Sequence, residues 1–423
     1  MRGKAPVLLM SVALVGLSLS TLEGCRCHDE DEYIWIFEEP EDDVGVGEDV
    51  GVIEEEEPED PEDWDWAFPD PEIEPDPPEW EETRWEVEVI EGAIPRSFAD
   101  NDRTSVIVDR AGTVWLGYHR CGDPSCLDPE LVVGHRRAGQ QNWVWEVIEG
   151  HRGLFGLEII EADRPMVVYL QALSRELRVA MRQANGRWVI EPIPVEDADG
   201  ADGFDVSRDR ARFYVSHASR SRGNIEFFEY NTAAVVPFWR RLRPREGARS
   251  AAYERGLRGG NRLNFYLVHQ DIESGYRLSE YDLGGDEWVR SSAQFPGALS
   301  SLLVRQNGEI CTAGPASGFL RVTCGSFEEP LEREERLHGR SVYYLSSMIE
   351  NRAQTLFVAY HDDLRKDLHV ARKVEGQEWK TENVEAGETF GISTAVDHRD
   401  HLLMSYYYCE SSICEVRLME RAR

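Results

Sequence analysis

Short stretches in which apolar and polar residues alternate recur from residue 84 to the C-terminus. A period of two is typical of β-strands. The stretch LRVAMRQANGRWVIEPI (Leu177–Ile193) contains two such strands joined by Asn185-Gly186, a dipeptide typical of tight hairpin turns. A related pair of strands occurs in SVIVDRAGTVWLGYHR, in LLVRQNGEICTAG and in STAVDHRDHLLMSYYY. The pattern predicts an all-β domain built from repeated four-stranded antiparallel units.

The number of units follows from the repeats. Seven first halves align, and most fourth strands are expected to open on a tryptophan. These tryptophans are Trp85, Trp145, Trp188, Trp239, Trp288 and Trp379. Seven units over residues 84–423 take about 49 residues each, which is the length of a propeller blade. The sequence therefore predicts seven blades.

The two ends of this domain complement each other. It begins with a lone fourth strand, WEVEVI (Trp85–Ile90), and ends with a lone third strand, CEVRLME (Cys414–Glu420). Pairing them completes a seventh blade and removes the exposed sheet edges. We expect the strand at 84–90 to close a seven-bladed β-propeller over residues 84–423.

The repeats resemble those of seven-bladed propeller lipoproteins and of sialidase-like propellers. The turn from Asp109 to Trp115 looks more like the Asp-Gly-Trp turn of other propeller repeats than like a sialidase Asp-box. The resemblance implies a propeller of either binding or glycan-cleaving function.

The first residues have the layout of an export signal, assigned to residues 1–24. Arg2 and Lys4 precede an uncharged apolar run that ends at Ser20. The alternative is a transmembrane helix, for which the run is shorter than the roughly 20 apolar residues required. Leu22-Glu23-Gly24-Cys25 resembles a bacterial lipobox, which implies lipidation of Cys25. By the same resemblance, Arg26 favours transfer to the outer membrane.

Residues 25–83 form a strongly acidic segment rich in proline. Of the formal net charge of −34, most comes from here, because residues 28–83 hold 27 Asp and Glu and no Lys or Arg. Such a composition cannot bury enough apolar area to fold. We expect a lipid-anchored, disordered linker, with an acidic binding segment for calcium or a basic partner as the alternative.

Cysteine usage favours an oxidising compartment. The spacing predicts three disulfides, Cys121–Cys126, Cys311–Cys324 and Cys409–Cys414. Cys27 then has no predicted disulfide partner. Together with the signal sequence, these pairs predict an exported protein.

Candidate ligand-binding residues lie in loops that share one face of a propeller, those between second and third strands and those between blades. They are His119, His217, His269, His361, Asp362, Tyr407, Tyr408, Arg96, Arg152 and Arg245. Four of them are histidines at the end of a second strand. A shared metal would need bonds of roughly 2 Å to several of these imidazoles. The alternative is that each histidine packs against its own blade edge.

Two further groups of charged residues, one of aspartates and one of arginines, are candidate ligand-binding sites. Asp197, Asp199 and Asp202 alternate with glycines as in calcium loops, and an acidic surface turn is the alternative. Calcium is the only cofactor that the sequence suggests. Arginines concentrated in blades three and four, among them Arg240 and Arg241, could bind an anionic glycan or the acidic linker.

These features predict a cell-envelope lipoprotein that presents its propeller as a non-catalytic binding or scaffolding module. Its expected partners are the membrane, through the lipid, and an envelope protein or glycan. The mild acidity of residues 84–423 argues against nucleic acid, and we expect a monomer. The alternative is a sialidase-like glycan hydrolase, for which no catalytic residues can be assigned from the sequence.

Overall fold

The computed structural model describes most of the domain that follows the acidic segment. The described residues are 84–99, 103–121, 126, 129–150, 155–160, 164–171, 176–195, 201–209, 212–219, 224–231, 238–246, 248–249, 257–259, 264–271, 276–291, 301–316, 319–327, 329, 333–337, 346–363 and 365–421. The predicted signal peptide, Cys25, Cys27 and the linker lie outside them.

The described strands form seven antiparallel sheets, one for each predicted blade. The first strand, β1 (Trp85–Pro95), belongs to the last blade. Blades 1 and 2 are β2 (Ser105–Val108), β3 (Val114–Cys121), β4 (Pro129–Arg136), β5 (Val144–Gly150), then β6 (Phe155–Ile160), β7 (Arg164–Gln171), β8 (Glu176–Arg182), β9 (Trp188–Pro192). Blade 3 is β10 (Ala201–Asp209), β11 (Arg212–Ser219), β12 (Asn224–Asn231), β13 (Trp239–Glu246).

The remaining blades follow the same order from the inside outward. Blade 4 is β14 (Ala248–Arg249), β15 (Leu257–Gly259), β16 (Asn264–Asp271), β17 (Tyr276–Asp282), β18 (Glu287–Ser291), with β14 and β15 both paired to β16. Blades 5 and 6 are β19 (Ser301–Val304), β20 (Ile310–Ala316), β21 (Phe319–Gly325), β22 (Arg333–Leu337), then β23 (Ser346–Glu350), β24 (Leu356–Asp362), β25 (Asp367–Lys373), β26 (Lys380–Ala386). Blade 7 is β27 (Glu388–Val396), β28 (Leu402–Glu410), β29 (Ile413–Arg421) and β1.

The ring closes as the sequence predicts. Strand β1 pairs antiparallel with β29 from Trp85 opposite Arg421 to Pro95 opposite Ile413, with two register shifts on the way. The pairing extends beyond the predicted segment 84–90. A short helix, α1 (Arg96–Ala99), follows β1, and no described helix is long and apolar enough to span a membrane.

The core of the domain is divided among the seven contacts between neighbouring blades. Each of the seven hydrophobic clusters draws its residues from two adjacent blades. Adjacent positions on β4 show why, because Val132 packs toward blade 7 and Val133 toward blade 2. Both faces of a blade are therefore buried, as β24 shows, a second strand that is buried at every position.

Hydroxyl groups tie the innermost strands to one another. The Ser301 hydroxyl accepts a hydrogen bond from the Met348 amide at 3.2 Å, and the Ser393 hydroxyl accepts one from the Val106 amide at 3.0 Å. Between them, the Ser347 and Thr394 hydroxyls lie 2.8 Å apart. These contacts connect blades 5, 6, 7 and 1 beside the central axis.

Glutamates on the outermost strands connect the outer edges of the blades. Glu146 of blade 1 accepts hydrogen bonds from the Trp188 indole at 2.7 Å and from Arg182 at 2.8 Å, both in blade 2. Glu88 on β1 likewise accepts from Trp143 and Arg136 of blade 1, at 3.0 and 2.6 Å. We call each such glutamate, with the tryptophan and cation of the next blade, a Trp–Glu joint.

A third joint lies one blade earlier and differs in its cation, because Arg372, 3.3 Å from Glu382, belongs to the same blade as the glutamate. The Trp85 indole donates to Glu382 of blade 6 at 3.4 Å. Trp85, Trp143, Trp188 and Trp379 each precede a glutamate by three positions, at Glu88, Glu146, Glu191 and Glu382. With this W-x-x-E spacing, the tryptophan of an outer strand can donate a hydrogen bond to the glutamate of the preceding blade. The glutamate of the same strand can accept one from the tryptophan of the following blade.

One predicted strand-opening tryptophan is incorrect. Trp143, not Trp145, is equivalent to Trp188, because Trp145 pairs with Gly134 and Trp143 therefore stands opposite Arg136. The Trp145 ring covers Gly134, where a Cβ atom would lie 2.1 Å from it. Both tryptophans fit the alternation, and only the cross-strand register distinguishes them.

Three disulfides join the predicted cysteine pairs, Cys121–Cys126, Cys311–Cys324 and Cys409–Cys414. The first joins the last residue of β3 to the segment before β4, and the third bridges opposite residues of β28 and β29, so only the first lies in a loop between a second and a third strand. The second bridges opposite residues of β20 and β21.

We expect Glu146→Gln to lower the free energy of unfolding by about 1 to 3 kcal/mol, because Arg182 and the Trp188 indole would lose a charged acceptor at a partly buried site. Urea denaturation measures the change. The matched control is Glu378→Gln at an exposed turn, expected to stay within about 0.5 kcal/mol of the parent protein. Equal stabilities of the two variants would contradict the role of the joint.

Candidate functional site

A cavity of about 320 Å³ occupies the centre of the ring. Its wall is formed mainly by the innermost strands, including Val106, Leu157, Val206, Leu303 and Val396. Polar side chains share this wall with the apolar ones; they are Arg103, Thr104, Ser105, Glu158 and Thr394. Its volume suits a small ligand or the end of a larger one.

The upper end of this cavity is the end where the innermost strands begin. There the Thr104 hydroxyl donates to the Gly391 carbonyl at 2.8 Å, and the Arg103 guanidinium donates to the Phe155 carbonyl at 2.8 Å. These bonds fix one cationic side chain where the cavity opens toward the predicted ligand face.

A group of charged and aromatic side chains lies at this end of the ring, on blades 6 and 7 and on the short helix α1 that follows the closing strand. We call it the rim cluster, and it comprises Arg96, His361, Lys366, Glu388, Thr389 and Phe390. Strand β27 joins it to the cavity, since Glu388 begins the strand at the rim and Val396 ends it in the cavity wall. The cluster thus lies on the chain that leads into the cavity.

Glu388 is the centre of the charged part of the rim cluster. It forms ion pairs with Arg96 and, at 3.2 Å, with Lys366, which also contacts Asp363 at 2.6 Å. The hydrogen bond to Asp363 raises the pKa of Lys366. The Arg96 guanidinium lies 5.6 Å from the centre of the Phe390 ring. Two cations thus converge on Glu388, and one of them also lies over an aromatic ring.

Local backbone geometry positions these groups. Arg96 follows the closing strand, and its amide donates to the Ser412 carbonyl at 3.0 Å. Lys366 has a positive φ of 58°, and its amide donates to the Asp362 carbonyl at 2.8 Å. Gly387, at φ 131°, has no room for a side chain because a Cβ atom would lie 2.4 Å from Tyr408.

His361 is the titratable group buried beneath the rim. Its Nδ1 atom lies 3.0 Å from the Thr389 hydroxyl, and its ring is 6.3 Å from that of Phe390. Burial lowers the pKa of this imidazole. At neutral pH it is therefore an uncharged hydrogen-bonding group.

The four predicted histidines are all buried, at 0, 0, 1 and 5 % exposure for His119, His217, His269 and His361. His119 meets Phe155 edge-on with ring centres 5.1 Å apart, and His269 Nε2 lies 2.8 Å from the Ser279 hydroxyl. All four imidazoles are thus buried; His269 contacts a side chain of its own blade, whereas His119 and His361 contact residues of the next blade.

The other predicted residues are dispersed. Asp362 and Tyr407 are buried, and the Tyr407 hydroxyl accepts a hydrogen bond from the His119 amide at 3.4 Å. Tyr408 donates to Glu410 at 3.2 Å, and Arg245 lies over Trp288 at 5.6 Å, toward the outer edge of blade 4.

Of the three predicted calcium ligands, Asp197 and Asp199 lie outside the described residues, and Asp202 lies in β10. Arg152, a candidate ligand-binding residue, also lies outside the described residues. Two groups of three potential metal ligands occur among the described residues, and neither includes the four histidines.

The arginines of blade 3 bind carboxylates that the sequence analysis did not identify. Arg241 contacts the fully buried Glu226 at 2.5 Å, and Arg240 contacts the buried Glu229 at 2.9 Å. Glu226 also lies 4.0 Å from His217. Both glutamates interrupt the aromatic run NIEFFEYN of β12, which was the available signal that they need cationic partners.

Lys366, Glu388, Thr389 and Phe390 are also absent from the sequence-based site. Lys366 lies in the turn after the predicted Asp362, and the other three are the first residues of β27. Glu388 was detectable only through its partners, which come from segments far apart in the chain.

No protein-family model matches the sequence, and no curated protein matches it. Among solved structures, a streptogramin B lyase has 8% identity and a TM-score of 0.51, over 80% of this chain and 98% of that chain. Virginiamycin B lyase from Staphylococcus aureus has 8% identity and a TM-score of 0.50, over 80% of this chain and all (100%) of the other. At such identities the similarity shows the propeller fold alone.

We expect the His361 imidazole to titrate below its ordinary pKa of 6.5. NMR titration measures it, with His361→Gln to assign the signal. Because the unfolded chain takes up this proton first, the stability that His361 contributes is complete above pH 6.5 and declines as the pH falls. The His361→Gln variant should therefore lose less stability between pH 7.5 and 5.5. A titration midpoint above 6.5 would contradict this description of the site.

Proposed function

We propose that this protein is a non-catalytic binding module that holds a polar, anionic ligand at the mouth of the propeller cavity. The observation that carries the proposal is the convergence of Arg96, Lys366 and Phe390, from separate segments of the chain, at the end of the ring where the innermost strands begin. Partly exposed cations beside an aromatic face suit a ligand with a carboxylate and an apolar ring face. Glycans that contain acidic sugars have both features.

Binding is favoured over hydrolysis by the state of the candidate catalytic groups. A sialidase-like mechanism needs an arginine cluster, an acid and an activated nucleophile such as tyrosine. Near the rim, Tyr407 is buried, while burial and the hydrogen bond to Glu410 raise the pKa of Tyr408. Neither phenol is activated, and the carboxylate of Glu388 is paired with two cations.

Export and lipid anchoring form the second part of the proposal. Three disulfides in one domain favour an oxidising compartment such as the periplasm or the cell surface. The signal layout and the lipobox-like sequence before Cys25 provide the route and the anchor. The long acidic segment would then hold the propeller away from the anionic surface of the outer membrane by repulsion.

A glycan array that carries neutral and uronic-acid-containing glycans tests the binding function. The mature protein should bind a subset of the acidic glycans. Arg96→Gln should weaken this binding about tenfold, as expected for the loss of one charge-assisted contact. The control is Arg352→Gln, an exposed arginine in a turn at the opposite end of the ring. Aryl-glycoside turnover that Glu388→Gln abolishes would instead support the hydrolase.

Labelled palmitate tests the anchor. We expect cells that express the full chain to incorporate the label into this protein, because lipidation occurs on the thiol of the residue after the cleavage site. Cys25→Ala should abolish the incorporation. Cys27→Ala, two positions away, is the matched control and should leave it unchanged. Label that survives Cys25→Ala would contradict anchoring through this residue.

A further inference from the structure

The turn between β27 and β28 of blade 7 reads Asp397-His398-Arg399-Asp400-His401. It lies at the opposite end of the ring from the rim cluster. The amides of Arg399 and His401 both donate to Asp397 Oδ1, at 2.7 and 2.8 Å. These bonds fix the carboxylate, so that its second oxygen, Oδ2, lies 3.4 Å from His401 Nδ1.

A third donor comes from the last strand. Glu420 on β29 brings a carboxylate oxygen close enough that the donor atoms of Asp397, His401 and Glu420 all lie within 4.8 Å of one another. All three side chains are partly buried. Two ligands bonded at about 2.1 Å to one tetrahedral ion are about 3.4 Å apart, which matches the Asp397–His401 separation.

Equivalent positions in other blades carry different chemistry. In blade 1 the turn begins at Asp109, whose Oδ2 accepts a hydrogen bond from the Trp115 indole at 3.1 Å. Blade 7 has Leu403 at the position of Trp115, and Glu420 opposite it in place of His135. In blade 5 the equivalent residue of the third strand is Cys324, which is in a disulfide. Among the described residues at these positions, only those of blade 7 combine one imidazole and two carboxylates.

The charges around Glu420 also favour a cation. Glu420 stands directly opposite Glu86 in the pairing of β1 with β29, and like charges at such positions repel. Arg136 approaches Glu420 at 3.8 Å but makes its shorter contact, at 2.6 Å, with Glu88. One cation is therefore shared between two carboxylates, while Asp397 and Glu86 add further negative charge.

We propose that Asp397, His401 and Glu420 bind a divalent transition-metal ion, with Zn²⁺ as the expected occupant. One imidazole nitrogen and two carboxylate oxygens form a donor set that suits Zn²⁺ better than Ca²⁺ or Mg²⁺, which prefer oxygen ligands alone. The ion would tie the β27–β28 turn to β29, the strand on which β1 closes the ring. Its bonds would thus strengthen ring closure.

Zn²⁺ titration of the full chain by calorimetry, together with thermal denaturation, tests the site. We expect the parent protein to bind one Zn²⁺ more than His401→Ala does, or to bind it at least about tenfold more tightly. Zn²⁺ should raise the melting temperature of the parent protein but not that of His401→Ala, because binding to the folded state alone stabilises it. His398→Ala removes an imidazole from the same turn and is the matched control.

Two further comparisons make the result decisive. Glu420→Gln keeps the size of the side chain and should weaken Zn²⁺ binding as His401→Ala does, so it serves if His401→Ala fails to fold. Weak binding of Zn²⁺ to the acidic segment is common to all variants and cancels in the comparison. The proposal is overturned if folded His401→Ala and Glu420→Gln bind Zn²⁺ as the parent protein does, or if only His398→Ala loses binding.

Discussion

The antiparallel pairing of β1 with β29 is the constraint on which the rest of this structure depends. Each of the seven hydrophobic clusters lies between two blades, and the cluster between blades 7 and 1 can form only when the ring is closed. The cluster between blades 7 and 1 contains Ile94 of the closing strand itself. The same strand carries Arg96 to the rim and presents Glu88 to the tryptophan and arginine of blade 1.

Two sets of polar contacts also join neighbouring blades, in addition to the apolar interfaces. Hydroxyls join the innermost strands of blades 5, 6, 7 and 1, and Trp–Glu joints connect the outer edges of blades 6, 7, 1 and 2. The joints place a carboxylate, a cation and an indole N–H together at partly buried positions, where each group needs the others. Blades 3 and 4 have tyrosines, Tyr230 and Tyr281, opposite their tryptophans instead of a cation. Their edges are therefore joined by different contacts.

The fold could be predicted from the sequence because its signals are local. Alternation, the Asn185-Gly186 turn and the complementary ends require no knowledge of distant contacts. The cysteine pairs also follow from spacing within single blades. The prediction of a tryptophan at the wrong position, Trp145 instead of Trp143, shows where local information ends, since both satisfy the alternation and only the register with β4 decides between them.

The candidate site was less predictable for the same physical reason. Glu388 is recognisable as its centre only after Arg96, almost 300 residues earlier in the chain, is brought beside it by ring closure. The histidines recur at equivalent positions of their blades, which made them look like a shared site. The structure buries each of them. A repeated residue in a repeat fold is thus as much a packing element as a ligand, and the distinction depends on exposure.

Hydrogen exchange of the amides of β1 that face β29 tests the account most directly. If β1 closes the ring, these amides should exchange as slowly as those of β29, through opening of the whole domain. Exchange of β1 at the rate of an unpaired strand, with the other blades still protected, would contradict closure and with it the assembly of the rim cluster.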